Sequence, residues 1–253
     1  MPVSSFLVSS CIEWHFAQAG DLTARIHAAK AAGIDAVEFH LWRDKPIEAI
    51  GTALTDTGMH LTSVCVDPRR SIVDPVERNE MLEALRETIA ATASLGSPSL
   101  IVASGFRVEG MSDEAHFNNA VTTLKMAAAL AEKAGVMLLL EPLNTKLFPT
   151  MYLVSTTRGL NLVEAVGSSN LRLLYDVWHS ATMGEDMAEV LAGRMHLVGH
   201  VQIADMPERN EPGSGTLDCR RVIGTLREMG YQAAIGLEYI PTLPMAESLH
   251  RTR

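Results

Sequence analysis

Cysteine is scarce in this chain. Three cysteines, Cys11, Cys65 and Cys219, are spread over 253 residues, and none of them belongs to a CxxC pair. An odd number of widely spaced cysteines argues against a disulfide framework and against a zinc knuckle. We therefore expect free thiols and a reducing compartment.

Positive charge is also in short supply. The chain has 21 Lys and Arg residues against 30 Asp and Glu residues, so its formal net charge is −9. Lys and Arg are not gathered in any run. A protein that binds nucleic acid needs a basic surface to neutralise phosphates. This charge balance therefore argues against nucleic acid as a partner.

Long apolar runs are absent as well. No stretch of the chain approaches the roughly 20 apolar residues that are needed to cross a bilayer. Residues 1–10 lack the basic segment and the apolar core of a signal peptide. We expect a cytoplasmic protein that does not contact a membrane.

Short apolar runs, in contrast, alternate with helical patterns along the whole chain. This alternation is typical of a parallel sheet covered by helices, and the chain length is close to the roughly 250 residues of a (β/α)8 barrel. The predicted strands lie near Phe6–Ser9, Ala36–His40, Leu61–Val66, Ser99–Ser104, Val136–Glu141, Leu171–Asp176, His196–Ala204 and Ala234–Tyr239. The sequence predicts an α/β fold, with residues 1–253 forming a single TIM-barrel domain.

Several helices have clear start and stop signals. One is predicted to run from Asp21 to Gly33, a second to start at Asp74-Pro75, and a third to run from Ser112 to Gly135. After the eighth strand only the short segment Ala246–Arg251 remains for a last helix. The barrel should therefore close with a short helix or with help from another subunit, and we expect a homodimer or a homotetramer.

Four short apolar runs within the predicted strands each end at a polar residue. These residues are Glu141, Asp176, Gln202 and Glu238. Taken alone, each could be a helix N-cap or a loop anchor. Together they should converge at the catalytic face, where three carboxylates would repel one another unless a cation or a shared proton offsets their charge. Oxygen ligands favour a hard ion, so we expect one divalent metal ion, Mg²⁺ or Mn²⁺.

Five motifs in the second half of the chain extend this pattern. They are Glu141–Asn144, Leu174–His179, Gly199–Asp205, Arg209–Gly215 and Gly236–Tyr239. With these motifs, in this order, the chain resembles the sugar isomerases and epimerases that have a xylose-isomerase-like barrel. Within that superfamily it is most similar to the hydroxypyruvate isomerase group.

The resemblance implies a metal-dependent isomerase. It implies that the four strand-end residues, Glu141, Asp176, Gln202 and Glu238, ligate one divalent ion. It also implies that Glu141 and Glu238 exchange the substrate protons, and that His179 and Arg209 contact the substrate. Moving a carbonyl along a hydroxy-carbonyl compound requires proton removal from the neighbouring carbon and an enediolate intermediate. The candidate reaction is the conversion of hydroxypyruvate to tartronate semialdehyde.

Other polar and aromatic residues are candidates for binding the substrate. Lys146 and Arg209 could each pair with a substrate carboxylate or phosphate, although both could equally be solvated surface charges. Glu38 could be a further carboxylate of the site. His40 and Trp42 could form a wall under the substrate, and ordinary packing would explain them as well.

The loop after the third predicted strand departs from the resemblance. Residues 66–74 lack the Asn-Leu-Pro and Gly-Asp-Trp pattern of the enteric hydroxypyruvate isomerases. Because this loop borders the predicted pocket, the difference bears on the substrate more than on the reaction type. Arg69 or Arg70 could supply an anion contact here.

Three other functions remain open. A ketose 3-epimerase could use the same metal and glutamates, but that branch usually has a further Glu where this chain has Leu147 and Phe148. A repair enzyme similar to endonuclease IV would need clustered His ligands and a basic face. A barrel that binds a sugar without converting it to a product would not need the pair Glu141 and Glu238.

Overall fold

The computed structural model describes residues 6–96 and 98–252. Eight parallel strands follow one another around a closed barrel, and β1 pairs with both β2 and β8. The strands are β1 Val8–Cys11, β2 Ala36–Phe39, β3 His60–Cys65, β4 Ser99–Ala103, β5 Leu138–Glu141, β6 Leu171–Asp176, β7 Val198–Ile203 and β8 Ile235–Leu237. The predicted (β/α)8 barrel is therefore confirmed.

Helices cover the outside of the barrel. They are α1 Leu22–Ala31, α2 Ile47–Thr57, α3 Arg78–Thr92, α4 Asp113–Ala134, α5 Thr156–Val166, α6 Val177–Thr182, α7 Met187–Val190, α8 Cys219–Glu228 and α9 Met245–Thr252. Short 3-10 helices occur at Ala17–Ala19, Ala93–Leu95 and Met195–Leu197. In the described part of the chain, every helix is too short or too polar to span a lipid bilayer.

Helix starts that depend on a capping side chain are where the sequence predicts them. The Asp21 carboxylate accepts a hydrogen bond from the backbone N–H of Ala24, and the Ser112 hydroxyl accepts one from the N–H of Ala115. These contacts satisfy N–H groups that have no partner within the helix. Gly135, at φ 69°, ends α4 in the left-handed region that favours glycine.

The start of α3 and the position of β1 differ from the prediction. The helix starts at Arg78 rather than at Asp74, because a turn occupies the residues between them. In that turn the Ser71 hydroxyl accepts the N–H of Asp74, and the Asp74 carboxylate accepts the N–H of Val76. Strand β1 starts two residues later than expected.

The apolar core is divided between the helix layer and the barrel interior. Two large clusters join the strands to the helices, and Leu249 of α9 is buried in one of them. The short last helix therefore packs against the barrel. A small third cluster, Cys65, Ile101, Leu139 and Leu174, is drawn from strands β3 to β6 alone, which places it inside the barrel.

Candidate active site

The polar residues that end the strands lie at one level of the barrel. In the strand register Asp176 is opposite Gln202, Gln202 is opposite Gly236, and Glu238 follows β8 directly. A cavity of about 800 Å³ opens at this level, and Glu141, Gln202 and Glu238 are among the residues that line it. The expected convergence at the carboxyl ends of the strands is therefore present in the structure.

Glu141, Asp176 and His179 form one group of possible metal ligands, with ligand atoms within 4.8 Å of one another. Asp176 is both a helix cap and a site residue. Its Oδ1 accepts the backbone N–H groups of Trp178 and His179, while its Oδ2 lies 3.5 Å from Nε2 of His179. A carboxylate at a strand end can cap a helix or act as a ligand in the site, and the side chain of Asp176 is placed to do both.

The orientation of His179 is set by Asn144. The Asn144 Oδ1 accepts the backbone N–H of Leu147, so its Nδ2 faces Nδ1 of His179, at 2.7 Å, and donates to it. The neutral imidazole then carries its proton on Nε2, which faces the carboxylates of Glu141 and Asp176. Burial lowers the pKa of His179, which favours this neutral form.

Cys11, His40 and Glu238 form a second group with ligand atoms within 4.8 Å of one another. The His40 Nε2 lies 2.8 Å from Oε1 of Glu238 and 3.6 Å from Sγ of Cys11. Burial raises the pKa of Cys11 well above its usual value, with Glu238 and Glu38 adding to the effect, so this thiol stays neutral. Cys11 is therefore a packing partner of His40 rather than a nucleophile.

Arg209 connects the two groups. Its Nη2 donates to Oδ2 of Asp176, at 3.0 Å, and to Oε2 of Glu238, at 2.5 Å. The guanidinium lies between two indole rings, 5.3 Å from the centroid of Trp14 and 4.9 Å from that of Trp178. Arg209 was expected to contact the substrate; in the structure it contacts two of the predicted metal ligands and partly neutralises them.

The two glutamates of the site have opposite pKa shifts. Burial raises the pKa of Glu141 well above its usual value, and repulsion from Glu238 and Asp176 adds to this. Burial opposes ionisation of Glu238 too, but the charge of Arg209 and the hydrogen bond from His40 outweigh it and lower its pKa to about 2. The pKa values of the two glutamates are thus shifted in opposite directions, a pattern that suits one group as a proton donor and the other as a proton acceptor.

Glu38 lies in the barrel interior and orients Gln202. Its Oε1 accepts a hydrogen bond from Nε2 of Gln202 at 2.9 Å, and its Oε2 lies 3.0 Å from Nε2 of His200. Gly236 leaves room for this carboxylate, since a Cβ there would lie 2.5 Å from it. With its Nε2 engaged, Gln202 has its Oε1 free as an acceptor, and this buried atom has no partner among the described residues. Glu38, a candidate substrate contact, thus holds the amide of Gln202 and is not among the described residues that line the cavity.

The donor set suits a hard divalent cation. Glu141, Asp176 and Glu238 provide carboxylate oxygens, and Gln202 provides an amide oxygen that is buried without a hydrogen bond. A buried acceptor without a partner is costly, and a cation would satisfy it. The four residues predicted as metal ligands therefore fit such an ion by their chemistry.

A loop held by Asp205 carries Arg209 into the site. The Asp205 carboxylate accepts the backbone N–H groups of Gly213, Gly215 and Leu217 at 2.8 to 2.9 Å. Arg209 itself has a φ of 61°, and its carbonyl accepts the N–H of Ile240 after β8. The glycines near Arg209 therefore shape a turn around the Asp205 carboxylate.

Gly215→Ala should disrupt this loop, because a Cβ at Gly215 would lie 1.7 Å from the carbonyl oxygen of Met206. We expect a loss of stability of about 1–3 kcal/mol from overpacking. We also expect kcat/KM to fall about 100-fold as Arg209 moves. The control is Gly224→Ala in α8, where an added Cβ meets nothing within 4 Å. Thermal unfolding and kinetics that are the same for both variants would contradict this account.

Two predicted substrate contacts lie away from the cavity. The indole N–H of Trp42 donates to the Thr88 hydroxyl on α3, at 2.9 Å, which turns the ring toward the helix layer. Lys146 is exposed in the loop after β5. Neither is among the residues that line the cavity in the described part of the chain, so the structure does not place them at the site.

Several residues of the site were missed from the sequence. Trp14, which packs on Arg209, follows β1 and had no recognisable motif. Asn144 and Asp205 stand in two of the quoted motifs, but nothing in the sequence alone showed what their side chains contact. A polar residue one to three positions after a strand end was the available signal.

The fold and the site together define a class. A closed (β/α)8 barrel with buried glutamates of opposite pKa shifts at the carboxyl ends of its strands is an enzyme scaffold of the TIM-barrel type. The model of the xylose isomerase-like TIM barrel family matches residues 26–253. The chain belongs to this family.

Relatives of known name are isomerases. A putative hydroxypyruvate isomerase of Streptomyces coelicolor is 35% identical over 239 residues, which cover 87% of this chain and 86% of the relative. The hydroxypyruvate isomerase of Escherichia coli is 28% identical over 87% of this chain and 88% of its own length. The 2-oxo-tetronate isomerase of Cupriavidus necator is 36% identical over 118 residues, 47% of this chain and 45% of the relative. The chain is an isomerase of this superfamily.

Solved structures of lower identity share the fold. The AP endonuclease, family 2, of Brucella melitensis superposes with a TM-score of 0.89 at 24% identity and covers 98% of this chain and 97% of its own. The IOLI protein with a bound zinc atom superposes with a TM-score of 0.80 at 16% identity, over 97% and 95% of the two chains. At these identities the likeness establishes the barrel and nothing further.

Proposed function

We propose that this protein is a metal-dependent isomerase of short hydroxy-oxo acids. The candidate reaction is the interconversion of hydroxypyruvate and tartronate semialdehyde. The observation that carries the proposal is the pair of buried glutamates at the mouth of the barrel, with the pKa of Glu141 raised and the pKa of Glu238 lowered. Proton exchange between two neighbouring carbons needs one group that takes a proton and one that gives a proton.

The two glutamates have separate tasks in this reaction. The ionised Glu238 takes a proton from the CH₂OH carbon of hydroxypyruvate, next to the carbonyl. The protonated Glu141 delivers a proton to the former carbonyl carbon, and a proton moves between the two oxygens. A divalent ion held by Glu141, Asp176, Gln202 and Glu238 would supply Lewis-acid stabilisation of the negative charge on those oxygens.

Three other side chains support this chemistry. Arg209 keeps Glu238 ionised, since its guanidinium donates to the carboxylate directly. The Nε2–H of His179 faces the carboxylates of Glu141 and Asp176, where it can donate to a substrate oxygen. The rings of Trp14 and Trp178 cover Arg209 and exclude water from its contacts, which strengthens them.

A four-carbon acid is the second candidate substrate. The Cupriavidus necator relative is named for 2-oxo-tetronate, and a cavity of about 800 Å³ has room for a substrate one carbon longer than hydroxypyruvate. The same two glutamates would move the carbonyl by one carbon in this acid as well. The two candidate substrates therefore differ in their number of carbon atoms, and the proposed mechanism is the same for both.

Product analysis tests the proposed function. The protein is incubated with Mn²⁺ and with hydroxypyruvate, 2-oxo-tetronate or D-fructose, and the products are identified by ¹³C NMR. We expect an aldehyde or 3-oxo product from the acids and turnover of fructose that is at least about tenfold slower. Epimerisation of fructose at carbon 3, without isomerisation of either acid, would replace this proposal with a ketose 3-epimerase.

A further inference from the structure

Four arginines line the active-site cavity, and their charges are not equally available. Arg209 is paired with Asp176 and Glu238, as described above. Arg70 pairs with Glu80 at 2.8 Å, and Arg107 pairs with Asp113 at 3.0 Å. Within residues 6–96 and 98–252 Arg69 has no carboxylate within ion-pair distance. It is therefore the one cavity-lining arginine whose charge is not already matched there.

Arg69 is directed toward the reacting groups. It lies in the loop between β3 and α3, and its Nη2 is 4.0 Å from Sγ of Cys65 at the end of β3. Burial raises the pKa of Cys65 to about 12, so the thiol is neutral and cannot balance the guanidinium. The positive charge of Arg69 lowers the pKa of Glu141, which places this charge in electrostatic contact with the site.

An acid substrate needs such a charge. It must enter a cavity that contains the ionised carboxylate of Glu238, which repels a further carboxylate. The planar fork of a guanidinium donates two parallel hydrogen bonds to a carboxylate, which gives both attraction and orientation. Arg70 and Arg107 cannot provide this without breaking the ion pairs that they already form.

We propose that Arg69 binds the carboxylate of the substrate and so makes this enzyme specific for acids over neutral sugars. The proposal rests on the proposed function, and it assigns a specificity residue within it. The substrate carbonyl then lies beside Glu141 and Glu238, with the adjoining carboxylate held on the β3 side of the cavity. Arg69 binds the substrate and takes no part in the proton transfers.

Kinetics with matched substrates test this role. Hydroxypyruvate is compared with dihydroxyacetone, in which a CH₂OH group replaces the carboxylate, for the wild type, Arg69→Met and Arg69→Lys. We expect Arg69→Met to raise KM for hydroxypyruvate about 10- to 100-fold, as for the loss of a charge-assisted hydrogen bond. The kinetics with dihydroxyacetone should change by less than about twofold, and Arg69→Lys should restore part of the affinity for the acid.

Arg86→Met is the control, because Arg86 is exposed on α3, pairs with Glu83 and does not line the cavity. It should leave the KM for hydroxypyruvate within about twofold of the wild type. Circular dichroism confirms that each variant is folded. The proposal is wrong if Arg69→Met leaves the KM for hydroxypyruvate unchanged, or if it raises the KM for hydroxypyruvate and for dihydroxyacetone equally. In either case Arg69 does not recognise the carboxylate.

A binding measurement separates this proposal from the proposed function. Calorimetric titration with D-glycerate, with glycerol and with inorganic phosphate requires no turnover. We expect D-glycerate to bind the wild type at least about tenfold more tightly than it binds Arg69→Met. The affinity for glycerol should differ between the two proteins by less than about twofold. Equal glycerate affinity in the two proteins overturns the role of Arg69, and so does the absence of glycerate binding to the wild type. If phosphate binds in an Arg69-dependent manner and glycerate does not bind, the proposal that Arg69 recognises a carboxylate is wrong, and a phosphorylated substrate is indicated instead.

Failure of the proposed function gives a different result. If the wild type isomerises neither acid but still binds D-glycerate through Arg69, the reaction assigned above is wrong and the anion site stands. If the acids are turned over equally well with and without Arg69, the reaction stands and the anion site is wrong.

Discussion

Replacing Glu238 with Gln should lower kcat for hydroxypyruvate by about 10²–10⁴-fold, the usual contribution of a positioned acid or base. The amide has nearly the same shape but cannot take a proton. The fold should survive, because Glu238 lies at the catalytic end of the barrel and Arg209 keeps its second partner, Asp176. Steady-state kinetics with a thermal unfolding curve measure both effects.

Glu141→Gln should have an effect of similar size for a different reason. Burial raises the pKa of Glu141 and so favours its neutral form, which the amide resembles in shape and charge, but the amide has no proton to deliver to the substrate carbon. The control for both variants is Glu247→Gln, an exposed change on α9 that should leave kcat and unfolding as in the wild type. Turnover within tenfold of the wild type in either site variant would remove that residue from the proton transfers.

Chelation should abolish turnover, and Mn²⁺ or Mg²⁺ should restore it. Without a cation, the buried carboxylates of Asp176 and Glu238 share the single guanidinium of Arg209, and developing charge on the substrate oxygens has no Lewis acid to stabilise it. Treatment with EDTA, followed by titration with each ion under kinetic assay, gives the loss and the recovery. Full activity after exhaustive chelation would contradict the role of the metal.

Metal binding can also be followed without an assay of activity. Mn²⁺ binding, measured by electron paramagnetic resonance, should weaken at least about tenfold in Gln202→Ala, since this variant removes one of the four proposed ligands. Gln232→Ala, an exposed change before β8, is the matched control. Equal Mn²⁺ affinity in these two variants would exclude Gln202 as a ligand.

The barrel and the four residues at its strand ends were predictable from the sequence. Buried parallel strands are apolar runs, and a polar residue at the carboxyl end of such a run must face the catalytic mouth. Glu141, Asp176, Gln202 and Glu238 each satisfy this rule by position alone. The periodicity that reveals a strand therefore also locates the residues at its end.

The partners of these residues were not predictable. Arg209 reaches Asp176 and Glu238 because a loop wrapped around Asp205 turns back over the barrel, and its path depends on backbone contacts far apart in sequence. Glu38 was placed correctly on β2, but its position in the barrel interior beside Gln202 follows from the register of eight strands. Local patterns carry no information of that kind.

Trp42 shows what a strand end cannot reveal about the next loop. The sequence allows this residue to be a wall of the pocket or ordinary packing, and in the structure its indole N–H donates to Thr88 on α3. An indole N–H that is partly buried needs an acceptor, and the Thr88 hydroxyl in the helix layer provides one. Which face a loop residue presents is decided by such tertiary contacts, so the same reasoning that located Glu141 could not locate Trp42.

Deuterium incorporation tests the central claim most directly. The protein is incubated in D₂O with hydroxypyruvate and Mn²⁺, or with chelator, and carbon-bound protons are followed by ¹H NMR. Proton transfer through Glu238 and Glu141 predicts deuterium beside the carbonyl in the wild type with Mn²⁺, and none with chelator or in Glu238→Gln. Formation of tartronate semialdehyde with no deuterium on either carbon would show that hydrogen moves between the carbons directly, and it would contradict this mechanism.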